Sequence, residues 1–220
     1  MRALFQKGYI EGAVHRDEAD RLLALLKKQS FSEGGNYRED PSLPPPQVLT
    51  QAPADLFEEC RSWSNYSALN GVQSLFGPFS YWFCTANRFT GGRGMMWHND
   101  HVDASFSTVL IYLTEEDWSE GFGGCLEVGK ISDASRMIEP RLNSNESWMV
   151  QTLGRIIPRH GTTVILNNLG LPFCHRVTPI EPDKTRYTLM FHFGYWENTR
   201  NARKDFGFNG VEGRAPSEGS

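Results

Sequence analysis

His98 and Asp100 lie two residues apart, where a strand beginning near Met95 would end. Residues i and i+2 of a strand project from one face, so an imidazole and a carboxylate converge there. A lone His-x-Asp pair is a weak signal, and the chain holds a second one, His101-Val102-Asp103. The rest of the pattern is more specific: His175 stands at the start of a β-rich run, and Arg186-Tyr187-Thr188 begins eleven residues after it. Two neutral imidazoles and one carboxylate form a facial donor set that suits Fe(II) and leaves open positions for small ligands. Redox chemistry at such a metal needs a co-substrate. Arg186 and Thr188 share a strand face, and a guanidinium fork with a hydroxyl beside it can receive the distal carboxylate of a 2-oxo diacid.

Only one His-x-Asp pair can serve. If Asp100 ends the strand, residues 101–105 remain to reach the next strand at Phe106; if Asp103 does, only Ala104 and Ser105 remain. Ala-Ser is a poor two-residue turn because neither residue favours positive φ. The first pair is therefore preferred, with His101 and Asp103 lining the mouth of the site. There Asp103 is either a receiver for a cationic substrate group or a solvated turn carboxylate.

The elements that must position these residues are mostly strands. The segment from Asp17 to Lys28 starts with acids, ends with lysines and repeats leucine at helical spacing, which complements the helix dipole and predicts a helix. Residues 30–46 collect glycine, asparagine, serine and Pro44-Pro45-Pro46 and read as a loop, and residues 54–75 read as a second helical region broken near Asn70-Gly71. From Phe79 onward the chain turns to β-branched and aromatic runs, at 106–113, 123–128, 161–168, 175–180 and 186–196. Helices followed by strands, with no alternation of the two, predict a mainly β core with an N-terminal α-helical buttress. Residues 129–153 are long and polar enough to predict a lid or substrate loop, and residues 197–220 a polar C-terminal tail with little to bury. The expected organisation is one domain over 1–220: helical buttress and loop over 1–78, catalytic core over 79–196, then the tail.

Composition narrows the partners. A chain of 220 residues is of one-domain length, and its net charge of −4 has the wrong sign for neutralising phosphates, so no nucleic acid is expected. No apolar stretch approaches the ~20 residues that cross a bilayer, so no membrane is expected either. The opening MRALFQKGYIEG lacks an unbroken apolar core, and Cys60, Cys84, Cys125 and Cys174 lack both CxxC pairing and the density of a disulfide scaffold. Buried free thiols and a cytoplasmic location are the expectation.

Over about Phe89 to Tyr195 the chain resembles the Fe(II)- and 2-oxoglutarate-dependent dioxygenases, most closely their prolyl-4-hydroxylase-like branch. The likeness rests on the glycine-bearing approach from Phe89 to Trp97, the His-x-Asp, the Ile-Tyr-Leu strand ending at Leu113, and Trp118. It continues through Gly123-Gly124-Cys125-Leu126, the I-x-P-x-x-G segment from Ile156 to Gly161, His175 with Val177 and Pro179, and Arg186. The resemblance implies a double-stranded β-helix, or jelly-roll, core with Fe(II) held by His98, Asp100 and His175. It also implies that Arg186 binds the distal carboxylate of 2-oxoglutarate, helped by Thr188 and Tyr112. The chain departs from the family at Phe89, where a tyrosine is usual, and in the 129–153 segment.

What the resemblance implies for function is a dioxygenase that takes O2 and 2-oxoglutarate as co-substrates and releases succinate and CO2. The expected reaction is hydroxylation of a small molecule, amino-acid or natural-product-like, or of a short peptidyl segment. The retained Asp100 argues against halogenation, since halogenating relatives carry a small residue there. Desaturation, epimerisation or cyclisation would use the same cofactors. A metal-binding β-barrel isomerase or binding module would not use 2-oxoglutarate, and the Arg186 and Thr188 pair speaks against it. Residues 30–46, 101–105 and 129–153 are the expected substrate walls. Among other residues, Trp97 and Cys174 neighbour proposed ligands on a strand and are expected to face the core on the opposite side. His15 and His160 read as surface residues. His192 shares a face with Arg186, Thr188 and Met190, and is either close to the co-substrate or a hydrogen-bonded core residue. Gly91-Gly92-Arg93-Gly94 has no Lys-Ser/Thr after it and is not a phosphate loop.

Overall fold

The computed structural model describes residues 2–33, 47–49, 81–98, 105–132, 150–168, 173–194 and 211–214. Its elements in chain order are α1 (Arg2–Lys7), β1 (Tyr9–Ala13), α2 (Arg16–Lys27), β2 (Phe31–Glu33), β3 (Gln47–Leu49), β4 (Tyr81–Thr90), β5 (Met95–His98), β6 (Ser105–Thr114), β7 (Leu126–Ile131), β8 (Val150–Ile156), β9 (Thr162–Asn167), β10 (Phe173–Val177), β11 (Thr185–Gly194) and β12 (Val211–Arg214). Two antiparallel sheets form a jelly-roll. The larger runs β1-β9-β6-β11-β4-β3-β2, with β12 also on β4, and the smaller runs β5-β10-β7-β8. Gly91 and Gly92, both at positive φ, turn the chain from β4 in the larger sheet to β5 in the smaller.

The alternation along β11 explains how the layers assemble. Tyr187, Leu189, Phe191 and Phe193 point outward with Val109, Ile111 and Leu113 of β6, and onto this face α2 lays Ala19, Leu22, Leu23 and Leu26. Those four α2 positions follow helical spacing, and Asp17 and Glu18 at one end with Lys27 at the other suit the helix dipole. The inward face of the larger sheet contributes Phe89, Leu110, Tyr112, Val164 and Leu166, which meet Leu126, Val128, Ile156 and Val177 of the smaller sheet. Trp97, Ile131 and Cys174 form a separate cluster with Val150. There the Arg176 guanidinium lies 5.0 Å from the Trp97 ring centre, so Trp97 and Cys174 serve packing. Burial pushes the Cys174 thiol up to about 12, and Cys84, Cys125 and Cys174 are all buried and free.

Several elements differ from the sequence reading. The N-terminal region supplies β1, β2 and β3 to the larger sheet as well as helix; each is five residues or fewer and owes its conformation to its partner strand. The polar 129–153 segment is strand at both ends, because β7 and β8 pair from Leu126↔Ile156 to Ile131↔Val150, and the connection starts beyond that hairpin. Residues 211–214, within the expected tail, pair with Tyr81–Cys84 as β12. The second helical region at 54–75, Cys60, and most of the expected substrate walls lie outside the described residues. No helix among the described residues is long and apolar enough to cross a membrane.

Leu22 and Leu26 have no exposure, so Leu22→Ala or Leu26→Ala is expected to cost about 2–5 kcal/mol in chemical denaturation by leaving a cavity between α2 and the larger sheet.

Candidate active site

The smaller sheet brings two histidines together. His98 closes β5 and pairs directly with His175 of β10, and their ring centres lie 4.2 Å apart with planes at 60°. The His98 Nδ1 stands 2.7 Å from the Met96 carbonyl oxygen. Donation of Nδ1–H to that carbonyl fixes the tautomer in which Nε2 keeps its lone pair, the form a metal ligand would need. Asp100, His101 and Asp103 lie outside the described residues. Among the described residues, no third His, Cys, Asp or Glu completes a metal-binding group with this pair.

Across the barrel, the register of the larger sheet gathers the other predicted residues. Arg186 pairs with Phe89 of β4 and Thr114 of β6, and Thr188 pairs with Asn87 and Tyr112. Arg186 has no exposure. Its Nη1 donates to Thr188 Oγ1, and its guanidinium carbon lies 4.3 Å from the Phe89 ring centre and 5.0 Å from that of Tyr112. Gly124 lets it in: a Cβ at this positive-φ position would stand 2.9 Å from Arg186 Nε. Trp118 Nε1 donates to the Gly123 carbonyl at 2.9 Å, bracing that turn.

The electrostatics of this well are one-sided. Arg186 Nε and Nη2 and Tyr112 Oη are buried with no hydrogen-bond partner among the described residues. Burial pulls the Arg186 guanidinium down to about 10, with Tyr112 and Cys125 opposing the shift, so it stays charged at neutral pH. Burial raises Tyr112 beyond the ordinary phenol range, so it remains a neutral O–H donor. A buried charge without a counter-charge is expensive unless something else supplies one. Unpaired guanidinium N–H groups and a phenolic O–H in a buried well are the donor set a carboxylate requires, so the residues present fit the distal end of a 2-oxo diacid.

Other sequence readings fall into place here. His192 Nδ1 lies 3.2 Å from Thr108 Oγ1, which also accepts from Asn168 Nδ2 at 2.8 Å, so His192 belongs to a hydrogen-bonded interior network on the Arg186 face. His160 is not a surface residue. Its Nδ1 accepts the Thr114 N–H at 3.1 Å, and its Nε2 lies 3.0 Å from the Asp20 carboxylate, tying β6 to α2. His15 stays exposed beside Asp17. Asn87, buried across from Thr188, was not singled out by the sequence; the available signal was an amide at an inward position of β4, two residues before Phe89.

A family model described as the 2OG-Fe(II) oxygenase superfamily matches residues 84–194. No curated protein matches the sequence. Among solved structures, a prolyl-4-hydroxylase from Pseudomonas putida is similar at a TM-score of 0.60 and 18% identity, over 88% of this chain and 96% of its own. A prolyl hydroxylase from Trichoplax adhaerens, in complex with a hypoxia inducible factor peptide fragment, gives 0.63 and 16%, over 91% and 89%. HygX from Streptomyces hygroscopicus, with nickel, 2-oxoglutarate and hygromycin B bound, gives 0.61 and 14%, over 89% and 86%. At these identities the likeness is one of fold.

Two outcomes are expected from the well. Arg186→Leu leaves the ligand-free melting temperature unchanged or higher, because a buried unpaired charge is removed, yet weakens 2-oxoglutarate binding by about 100-fold or more in calorimetry. In the wild type, affinity for the dicarboxylate is level around neutral pH, because burial lowers the Arg186 guanidinium yet leaves it charged there.

Proposed function

Because the chain belongs to the 2OG-Fe(II) oxygenase superfamily, we propose that it is a hydroxylase acting on a small amino-acid-like or natural-product-like molecule, or on a short peptidyl segment. The enzyme class is non-haem iron dioxygenase, and its cofactors are Fe(II), 2-oxoglutarate and O2. The reading assigns the iron to His98, Asp100 and His175, and the distal carboxylate of 2-oxoglutarate to Arg186, Thr188 and Tyr112. The observation that carries it is the buried guanidinium with unpaired N–H groups, held by one sheet across from a pair of histidines on the other.

Bound Fe(II), with 2-oxoglutarate and O2, supplies an oxidation that releases succinate and CO2 and delivers one oxygen atom to a substrate C–H bond. The chain's own residues bind and orient. Arg186 meets the distal carboxylate with charge and a fork, Thr188 holds one arm of that fork, and Tyr112 donates its O–H from the side. Phe89 and Tyr112 keep water off the guanidinium faces. Burial makes each of these hydrogen bonds stronger than it would be in water. On the other wall, the Met96 carbonyl holds His98 in its ligating tautomer. The same fold holds a peptide fragment in one relative and hygromycin B in another, which supports keeping both substrate classes in the proposal.

The test is an anaerobic titration of purified apoprotein with Fe(II) and then 2-oxoglutarate, following the visible metal-to-ligand charge-transfer band, in parallel with His98→Ala and His101→Ala. The band is expected in the wild type and in His101→Ala, and is lost in His98→Ala. Substrate screening then follows succinate release. No band in the wild type despite bound metal would refute the proposal, and a band surviving only in His98→Ala would move the ligand pair to His101 and Asp103.

A further inference from the structure

The strand that presents His98 has little backbone support. β5 is four residues long, stands at the edge of the smaller sheet, and pairs with β10 at two positions, His98 with His175 and Met95 with Val177, with a register shift between them. A short edge strand with an irregular ladder depends on its side chains to fix it. Trp97, the neighbour of His98, is 3% exposed. Its indole reaches across β10 to β7, where a Cβ at Gly129 would stand 3.0 Å from two of its ring carbons.

Arg176, the neighbour of His175, lies on that indole, its guanidinium carbon 5.0 Å from the ring centre. Across the sheet, Arg176 pairs with Glu127 of β7, and Glu127 pairs with Arg155 of β8. The Glu127 carboxylate accepts the Arg176 Nε–H at 2.6 Å on one oxygen, and Arg155 Nη1 stands 3.7 Å from the other. Glu127 is 7% exposed, although it belongs to the outer face of the sheet, since its neighbours Leu126 and Val128 fill the shared core. A carboxylate shielded from water between two guanidinium groups holds each of them more firmly than a solvated one does. Arg176 therefore has an anchor on β7 at one side and the ring that fixes β5 at the other.

We propose that Arg176 is a positioning residue for the histidine pair: anchored by Glu127, its guanidinium packs on Trp97 and sets where β5 presents His98 against His175. The inference rests on the reading of these histidines as metal ligands given above. Arg176 acts through Trp97 and through its own strand, from the side of the sheet opposite the two imidazoles. The arrangement also accounts for an arginine here, because a lysine could keep the ion pair but has no flat face to lay on the indole.

Mn(II) titration of the purified apoprotein, with free metal counted by its electron paramagnetic resonance signal, tests this without turnover. Arg176→Met keeps the apolar stem and removes the fork; its Mn(II) dissociation constant is expected to rise about tenfold, the lower end of what support outside the ligand shell contributes. Arg176→Lys keeps the charge without the flat face and recovers only part of that loss. Glu127→Gln leaves the guanidinium a neutral anchor and shifts the constant in the same direction, which keeps the test open should Arg176→Met not fold. Leu22→Ala, on the outer face of the larger sheet, lowers the melting temperature but leaves the constant at the wild-type value, so that positioning is separated from general loss of stability. Wild-type affinity in both Arg176→Met and Glu127→Gln, or an equal rise in Leu22→Ala, would overturn the proposal. A wild type that binds no Mn(II), or that binds it as tightly after His98→Ala, would instead overturn the metal reading of the histidines, and this inference with it.

Discussion

Arg186 carries its charge between two sheets at no measurable exposure, and much of the surrounding architecture is what makes that possible. A guanidinium taken out of water loses solvation that no carboxylate among the described residues returns, so it has to be paid for by the fold. Phe89 and Tyr112 cover its faces, Thr188 takes one N–H, and Gly124 yields the space a side chain would occupy. The strand that presents it is clamped on both sides by long antiparallel registers with β4 and β6, and on its outer face by the leucines of α2. A cation fixed in this way would bind an anion at a reduced ordering cost.

The second sheet supplies what the first cannot. Its strands are short, yet the direct pairing of His98 with His175 needs only the few residues of β5 and β10. Trp97 and Cys174, the immediate neighbours of these histidines, sit in a separate apolar cluster and lock the two strands from the other side. The two sheets are joined by a two-glycine turn and share one core that includes Leu110, Val128, Val164 and Val177. On the proposed reading, a co-substrate with a carboxylate at one end and metal-binding oxygens at the other would reach from one sheet to the other.

How far the sequence could reveal this depended on how local each signal was. The helix α2 was legible because its leucines and terminal charges lie within one short stretch, and β6, β9 and β11 because they are dense in β-branched and aromatic residues. Arg186, Thr188 and the histidine pair were readable from spacing plus family resemblance. β1, β2, β3 and β12 were not, since strands of three to five residues, two of them interrupted by Gly12 or Gly213, are defined by the strands they join. β8 was hidden by its exposure, with polar residues over much of its length. His160 looked like a surface residue because its partners, Thr114 and Asp20, are distant in sequence. Asn87 was not singled out because its burial and its pairing with Thr188 come from a cross-strand register that exists only in three dimensions.

The most direct measurement is the affinity of the Mn(II)-loaded protein for a series of 2-oxo acids: 2-oxoglutarate, its homologue one carbon longer, and 2-oxopentanoate, which lacks the distal carboxylate. If Arg186 is the preformed receiver, 2-oxoglutarate binds tightest, the longer diacid binds more weakly, and 2-oxopentanoate loses about 100-fold or more, the scale of leaving a buried charge unpaired. Equal affinity for 2-oxoglutarate and 2-oxopentanoate would contradict the account, because the buried guanidinium would then contribute nothing to recognition.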